Sequence, residues 1–298
     1  MLKTERMDRV RAALRAQGLT QMIVCDPKSV WYLTGVAVEP YERLLALYLP
    51  TEGEPVLFLN RLFNVPEPPC RTVWHTDTDK PVAQIAEVVD AGRPLGIDKE
   101  WPAKFLIPLM ETHPGMQVVL SSDCVDDCRA CKDAEEQTLM REASRINDTV
   151  NEAAKHYIKV GMTEREVAEF IDAQFRAHGC EGPSFTTIVS FGANAADPHH
   201  EPDDTVLKEG DCVLFDMGCV KSRYCSDMTR TWFCGQPTEK QAAVHDLVRR
   251  ANEAAEALIK PGVRLCELDA AARGSAGDSM RAVLRRFYGP DCDTDAIM

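Results

Sequence analysis

Apolar positions recur along the chain at two spacings, and the alternation between them marks the elements. Met7, Val10 and Leu14 stand three and four residues apart, which predicts a helix, and Gly18 sits where a helix C-cap belongs. The run Met22-Ile23-Val24-Cys25, closed by Asp26-Pro27, reads as a buried strand. Leu44 to Leu49 and Val56 to Leu59 flank Pro50-Thr51-Glu52-Gly53-Glu54-Pro55 and predict a hairpin. Val82 to Val89 reads as a helix, and Leu95-Gly96-Ile97-Asp98 as another strand. From Lys132 to about Val160 the spacing predicts one long helix, with Leu139, Ala143, Ile146 and Val150 on one face.

Thr163 and Glu166 form a capping-box signature that opens a further helix, ending at His178-Gly179. Phe185 to Phe191, Val213 to Phe215 and Met228 to Phe233 read as strands, with a turn near Val220 to Arg223 between the last two. A helix from Thr238 through Leu258 and a turn at Lys260-Pro261-Gly262-Val263 follow. A last helix begins near Leu265, and Ser275 to Tyr288 form a short helix with Met280, Val283, Leu284 and Phe287 on one face. The pattern predicts an α/β domain over residues 1–125 and an α+β domain over residues 126–298. The change falls between Ser121 and Lys132.

Composition narrows the function. A formal charge of −13 argues against nucleic acid or an anionic membrane surface as partner. No apolar run approaches the ~20 residues that cross a bilayer. The N-terminus mixes both charges and leads into no apolar stretch, so it does not read as a signal peptide, and a cytoplasmic protein is expected. Cys124, Cys128 and Cys131 have C-x3-C-x2-C spacing, that of iron–sulfur ligands, but they sit mid-chain in an acidic stretch beside helical sequence. A structural role is expected for them.

Two places carry candidate chemistry. Asp216 closes the apolar run Cys212-Val213-Leu214-Phe215, where a carboxylate is costly to bury unless it is paired or metal-bound. Asp227 follows eleven positions later at the start of the next strand, and a divalent cation would relieve the repulsion of two facing carboxylates. A turn-proximal strand pair with exposed acids is the alternative. Upstream, His199 and His200 stand between Pro198 and Pro202, a stiff loop that suits a positioned proton donor or acceptor. A solvated loop histidine is the alternative there.

N-A-A-x-P-H-H-x-P from Asn194, G-D-x-V-L-x-D-M-G from Gly210 and Y-x-S-D-M-T-R-T from Tyr224 together resemble the first half of the pita-bread fold of the creatinase/aminopeptidase P family. Asp26 to Gly35 is similar to the start of that family's creatinase-like N-terminal α/β domain. The resemblance implies an incomplete pita-bread domain behind that domain, acting on Xaa-Pro peptides. It implies that Asp216 and Asp227 are two of five metal ligands, with Asp227 bridging two divalent ions (Mn, Co or Zn), and that His199 steadies the substrate carbonyl. Their carboxylates are expected within a few ångströms of each other, facing His199 across a cleft. A small peptide partner and a homodimer follow from the same resemblance.

The chain departs from the family pattern after Asp227. A G-H-G-x-G histidine, an E-P-G glutamate and a second glutamate are absent, and His245 is the only later histidine. Three ligands are therefore missing, and negligible turnover is expected. The alternatives are a truncated, non-catalytic binding module and a creatinase-like C–N hydrolase lineage.

Overall fold

The computed structural model describes residues 2–288, with the backbone alone at positions 276, 278–284, 287 and 288. The chain divides between Asp133 and Ala134 into two compact units.

The first unit contains α1 (Thr4–Ala16), β1 (Gln21–Val24), α2 (Pro27–Thr34), β2 (Ala46–Pro50), β3 (Val56–Asn60), β4 (Arg71–His75), α3 (Pro81–Ala86), β5 (Leu95–Ile97), α4 (Ala103–Thr112), β6 (Val118–Leu120) and α5 (Asp123–Ala130). Its sheet has the order β4-β3-β2-β1-β5-β6. The expected hairpin is β2–β3, while β3–β4, β1–β5 and β5–β6 run parallel. Met7, Val10 and Leu14 are buried along α1, as their spacing requires.

Asp26-Pro27 does more than close a strand, because it starts α2. The Asp26 carboxylate accepts from the N–H groups of Lys28 and Ser29, Pro27 occupies the first turn, and Gly35 ends the helix at φ 76°. The helix is eight residues long, too short for periodicity to declare it. The expected helix over Val82 to Val89 is likewise shorter, ending at Ala86.

Cys124 and Cys128, one turn apart on α5, are buried in the core beside Val10 and Leu14, whereas Cys131 is exposed at the helix end. Burial pushes the Cys124 thiol up to about 11. A thiol so seldom ionised is a poor nucleophile. Alkylation of the native protein is therefore expected at Cys131 and Cys266 well before Cys124, as peptide mapping of iodoacetamide adducts would show.

The second unit contains α6 (Ala134–Tyr157), α7 (Glu164–Ala177), β7 (Gly182–Pro183), β8 (Ile188–Phe191), a 3-10 turn (Gly192–Ala196), β9 (Cys212–Met217), β10 (Cys219–Lys221), β11 (Tyr224–Cys225), β12 (Met228–Phe233), α8 (Glu239–Glu256) and α9 (Leu265–Tyr288). Its strands form two antiparallel sheets, β12-β9-β8 and β11-β10-β7. Ala143 and Val150 of α6 pack with Val167, Ile171 and Phe175 of α7 against Val213, Phe215 and Met217 of β9. Asn147, buried on the same face of α6, donates from Nδ2 to the carbonyl of Met217 at 3.0 Å.

The expected capping box forms at Thr163–Glu166, and the structure adds a second at Thr238–Gln241. The expected turn is the hairpin β10–β11, with Ser222 and Arg223 at φ 50° and 67°, the double left-handed geometry that matches strand twist. β8 begins at Ile188, three residues later than the apolar run suggests, and Thr187 before it donates its hydroxyl to Asp172. The short helix expected over Ser275 to Tyr288 is instead the second half of α9, which runs through Gly274 without a break. The expected apolar face of Met280, Val283, Leu284 and Phe287, and the tail from Gly289, lie outside the described side chains.

Candidate functional site

β9 alternates. Val213, Phe215 and Met217 are buried in the core, and Phe215 meets Trp232 edge-on with ring centroids 4.5 Å apart. Cys212, Leu214 and Asp216 therefore point to the other face. Asp216 pairs with Thr229 of β12, and Asp227 immediately precedes β12. With a period of two, Asp227 projects on the same side as Thr229, diagonal to Asp216. Asp227 is exposed. Asp216 Oδ1 is sealed from solvent and has no hydrogen-bond partner. A buried carboxylate oxygen in that state costs about 1–3 kcal/mol or more, so its environment is complete only when a cation or donor reaches it.

The backbone beside Asp227 is held tightly. Ser226 Oγ accepts from the N–H of Cys219 at 3.0 Å, and the Ser226 carbonyl accepts from Ser184 Oγ at 2.8 Å. Gly218 makes this approach feasible, since a Cβ there would stand 2.0 Å from the Ser226 oxygen and 2.2 Å from Ser184 Oγ. Gly218→Ala is expected to cost about 2–3 kcal/mol of stability and to displace Asp227, read as a lower urea midpoint.

On the Asp216 face lies a groove of about 1130 Å³, lined by Leu214, Thr229, Thr231, Phe233, Val244 and Val248 among others. His245 also lines it; its Nε2 donates to the carbonyl of Thr231 at 3.2 Å.

The histidine pair is split in role. His199 is exposed on the loop after the 3-10 turn, and its N–H donates to Asp197 Oδ1 at 2.9 Å. His200 turns inward and donates from Nε2 to Glu164 Oε2 at 2.6 Å. Glu164, at the first position of α7, is fully buried. Its carboxylate also accepts from the N–H of Phe191 at 2.7 Å, Asn194 Nδ2 at 3.0 Å and the N–H of Asp203 at 3.2 Å.

Among the described residues, Glu164, His200 and Asp203 form the one set of three metal-type ligands lying within 4.8 Å of each other. They do not suit an ion. Nε2 and Oε2 are joined to each other at 2.6 Å, and Glu164 already has four donors, so hydrogen bonds occupy the atoms an ion would need. His199, Asp216 and Asp227 do not close into such a set.

Thr205, through hydroxyl and then N–H, holds Asp203 below the usual carboxylate range. A depressed carboxylate stabilises the fold above its unfolded pKa and loses that contribution as pH falls through the folded value. Loop 197–205 is therefore expected to lose hydrogen-exchange protection in acid before α6 does.

The Glu164 network escapes the sequence pattern. Thr163-Glu164-Arg165-Glu166 announces a helix start, and nothing in it distinguishes the buried glutamate from the capping one. Its partners lie 27 to 39 residues downstream.

Residues 6–131 match the creatinase/prolidase N-terminal domain and residues 138–290 match metallopeptidase family M24. The chain belongs to family M24, with its creatinase-like domain and pita-bread fold. It is 34% identical to an uncharacterized peptidase of Staphylococcus aureus over 84% of this chain and 72% of that one. Among solved structures it is similar to dipeptidase PepE from Mycobacterium ulcerans, at 31% identity and TM-score 0.85 over 94% of this chain and 77% of that one. The recombinant prolidase from Thermococcus sibiricus is similar at 28% identity and TM-score 0.84, over 97% and 79%. Described helices include none long and apolar enough to cross a membrane.

Proposed function

We propose that the Asp216 face of the second unit is a divalent-metal site for hydrolysis of Xaa-Pro dipeptides, with His199 supporting the substrate carbonyl. The observation that carries this reading is the buried, unpartnered Oδ1 of Asp216, an acceptor with its space already enclosed. Asp227, projecting on the same side one strand away, is the second ligand. Carboxylate oxygens suit Mn²⁺ best among the family's metals; Co²⁺ and Zn²⁺ accept nitrogen ligands more readily. When bound, the metal supplies an activated water and polarises the scissile carbonyl. The similarity to dipeptidase PepE and to a prolidase supports a short peptide as substrate. A cytoplasmic homodimer fits the same reading.

Asp216 and Asp227 grip from one face only. His245, the one histidine after Asp227, is engaged by the Thr231 carbonyl. Two carboxylates with water completing the shell predict weak Mn²⁺ binding, with Kd on the order of 10⁻⁴–10⁻³ M. Asp216 and Asp227, engaged with the metal, leave no general base of their own, so turnover of Ala-Pro by this chain should be negligible. The same observation favours a second reading, a non-catalytic family member that keeps the peptide groove. Metal titration of the purified chain beside an Ala-Pro assay tests both. Manganese-dependent turnover that disappears in Asp227→Asn would overturn the expectation of inactivity. Mn²⁺ binding unchanged in Asp216→Asn would remove the site.

A further inference from the structure

We infer that Glu164 is a positioning residue for His199, acting through His200, which anchors the loop and is not a second catalytic histidine. This rests on the reading of His199 given above. Glu164 fastens the segment carrying His199 at both ends: Phe191 and Asn194 lie before it, and His200 and Asp203 after it. Backbone bonds from Glu164 to the Thr205 carbonyl and from Arg165 to the Asp203 carbonyl, both 3.1 Å, continue the seam. Asn194 Nδ2 also reaches Thr205 Oγ1 at 3.1 Å, so the two loop ends are tied to each other as well as to α7. Between these ties only Asp197 holds His199, through its backbone. The imidazole of His199 is thus exposed on a short span whose two ends are pinned to a buried carboxylate at a helix N-terminus.

The chemistry fixes the proton. Three other donors point at the Glu164 carboxylate, and Asn194 Nδ2, which also lies 3.1 Å from His200 Nε2, has its two hydrogens engaged by Glu164 Oε1 and Thr205 Oγ1, so the hydrogen between Nε2 and Oε2 is the imidazole's own. In Glu164→Gln the amide keeps an oxygen for Phe191 and Asn194 but turns N–H groups toward His200. The imidazole must then accept at Nε2 and carry its proton on Nδ1, and the Asp203 N–H loses its acceptor.

The test combines ¹⁵N-imidazole spectra at mildly alkaline pH, amide exchange, and titration with Ala-Pro in the presence of Zn²⁺. In the wild-type chain, His200 should show the Nε2–H tautomer and the dipeptide should shift the His199 resonance. Glu164→Gln should switch His200 to Nδ1–H and speed exchange of the Asp203 N–H by about tenfold, the equivalent of one lost hydrogen bond. His200→Ala should abolish the Ala-Pro shift of His199. His200→Gln, whose amide donates from nearly the same place, should restore it, and a purely structural role would not separate these two variants. An Nδ1–H tautomer of His200 in the wild-type chain overturns the inference, as does an equal dipeptide shift of His199 in wild type and His200→Ala. A wild-type chain in which Ala-Pro leaves His199 unmoved overturns the catalytic reading of His199 and this inference with it.

Discussion

Glu164→Ala is expected to destabilise the second unit by about 3–5 kcal/mol, the cost of removing one partner of a buried charged network. Truncation leaves the N–H groups of Phe191 and Asp203, the Asn194 amide and the His200 imidazole without the fully buried carboxylate that accepts from them. The helix start also loses a negative group at its positive end. Glu166, two residues further on and exposed, provides the control. Its carboxylate serves only the Thr163 cap, so Glu166→Ala should cost about 0.5–2 kcal/mol. Hydrogen exchange resolves the two units separately. The expected signature is loss of protection across α7, β8 and the following loop, with the first unit unchanged. Equal costs for the two variants would show that the network contributes no more than a cap.

Asp216→Leu is expected to act in the opposite direction, raising the metal-free stability of the second unit by about 1–3 kcal/mol. The Oδ1 atom is buried without a partner, and the groove beside it is lined by Leu214 and Val248, so a leucine side chain exchanges an unsatisfied acceptor for apolar contact. On the proposed metal reading the same change also eliminates stabilisation by Mn²⁺, about 2.7 kcal/mol at a concentration one hundred times Kd. Residues selected for a ligand rather than for the fold show this pairing, with stability gained and binding lost. Chemical denaturation with and without Mn²⁺ measures both halves. A metal-free Asp216→Leu chain less stable than its parent would mean that Asp216 contributes to the fold itself, and the metal reading would lose its main support.

Local and short-range order was legible in the sequence. Helical spacing at Met7, Val10 and Leu14, the capping box at Thr163 and Glu166, and the alternation through Val213 to Phe215 each carry their signal within a few residues. The family resemblance was legible for a related reason: Asn194 to Pro202, Gly210 to Gly218 and Tyr224 to Thr231 are contiguous strings. The short helix α2 was not legible, because eight residues give too little periodicity and Asp26-Pro27 serves equally as a strand end or a helix start.

What tertiary structure alone decided is which polar groups are satisfied. Asp216 closes an apolar run and Glu164 stands among polar residues, yet the first has an orphaned oxygen and the second four donors. His199 and His200 are neighbours, yet one faces solvent and the other a buried acid. The sequence by itself determined the elements, the family and the face of β9 that bears Asp216, because propensity, caps and strand alternation act over a few residues. Pairing of hydrogen-bond groups acts between residues tens of positions apart. Only folding of β8, the loop and α7 onto one another could assign Glu164 to the loop and leave Asp216 Oδ1 without a partner.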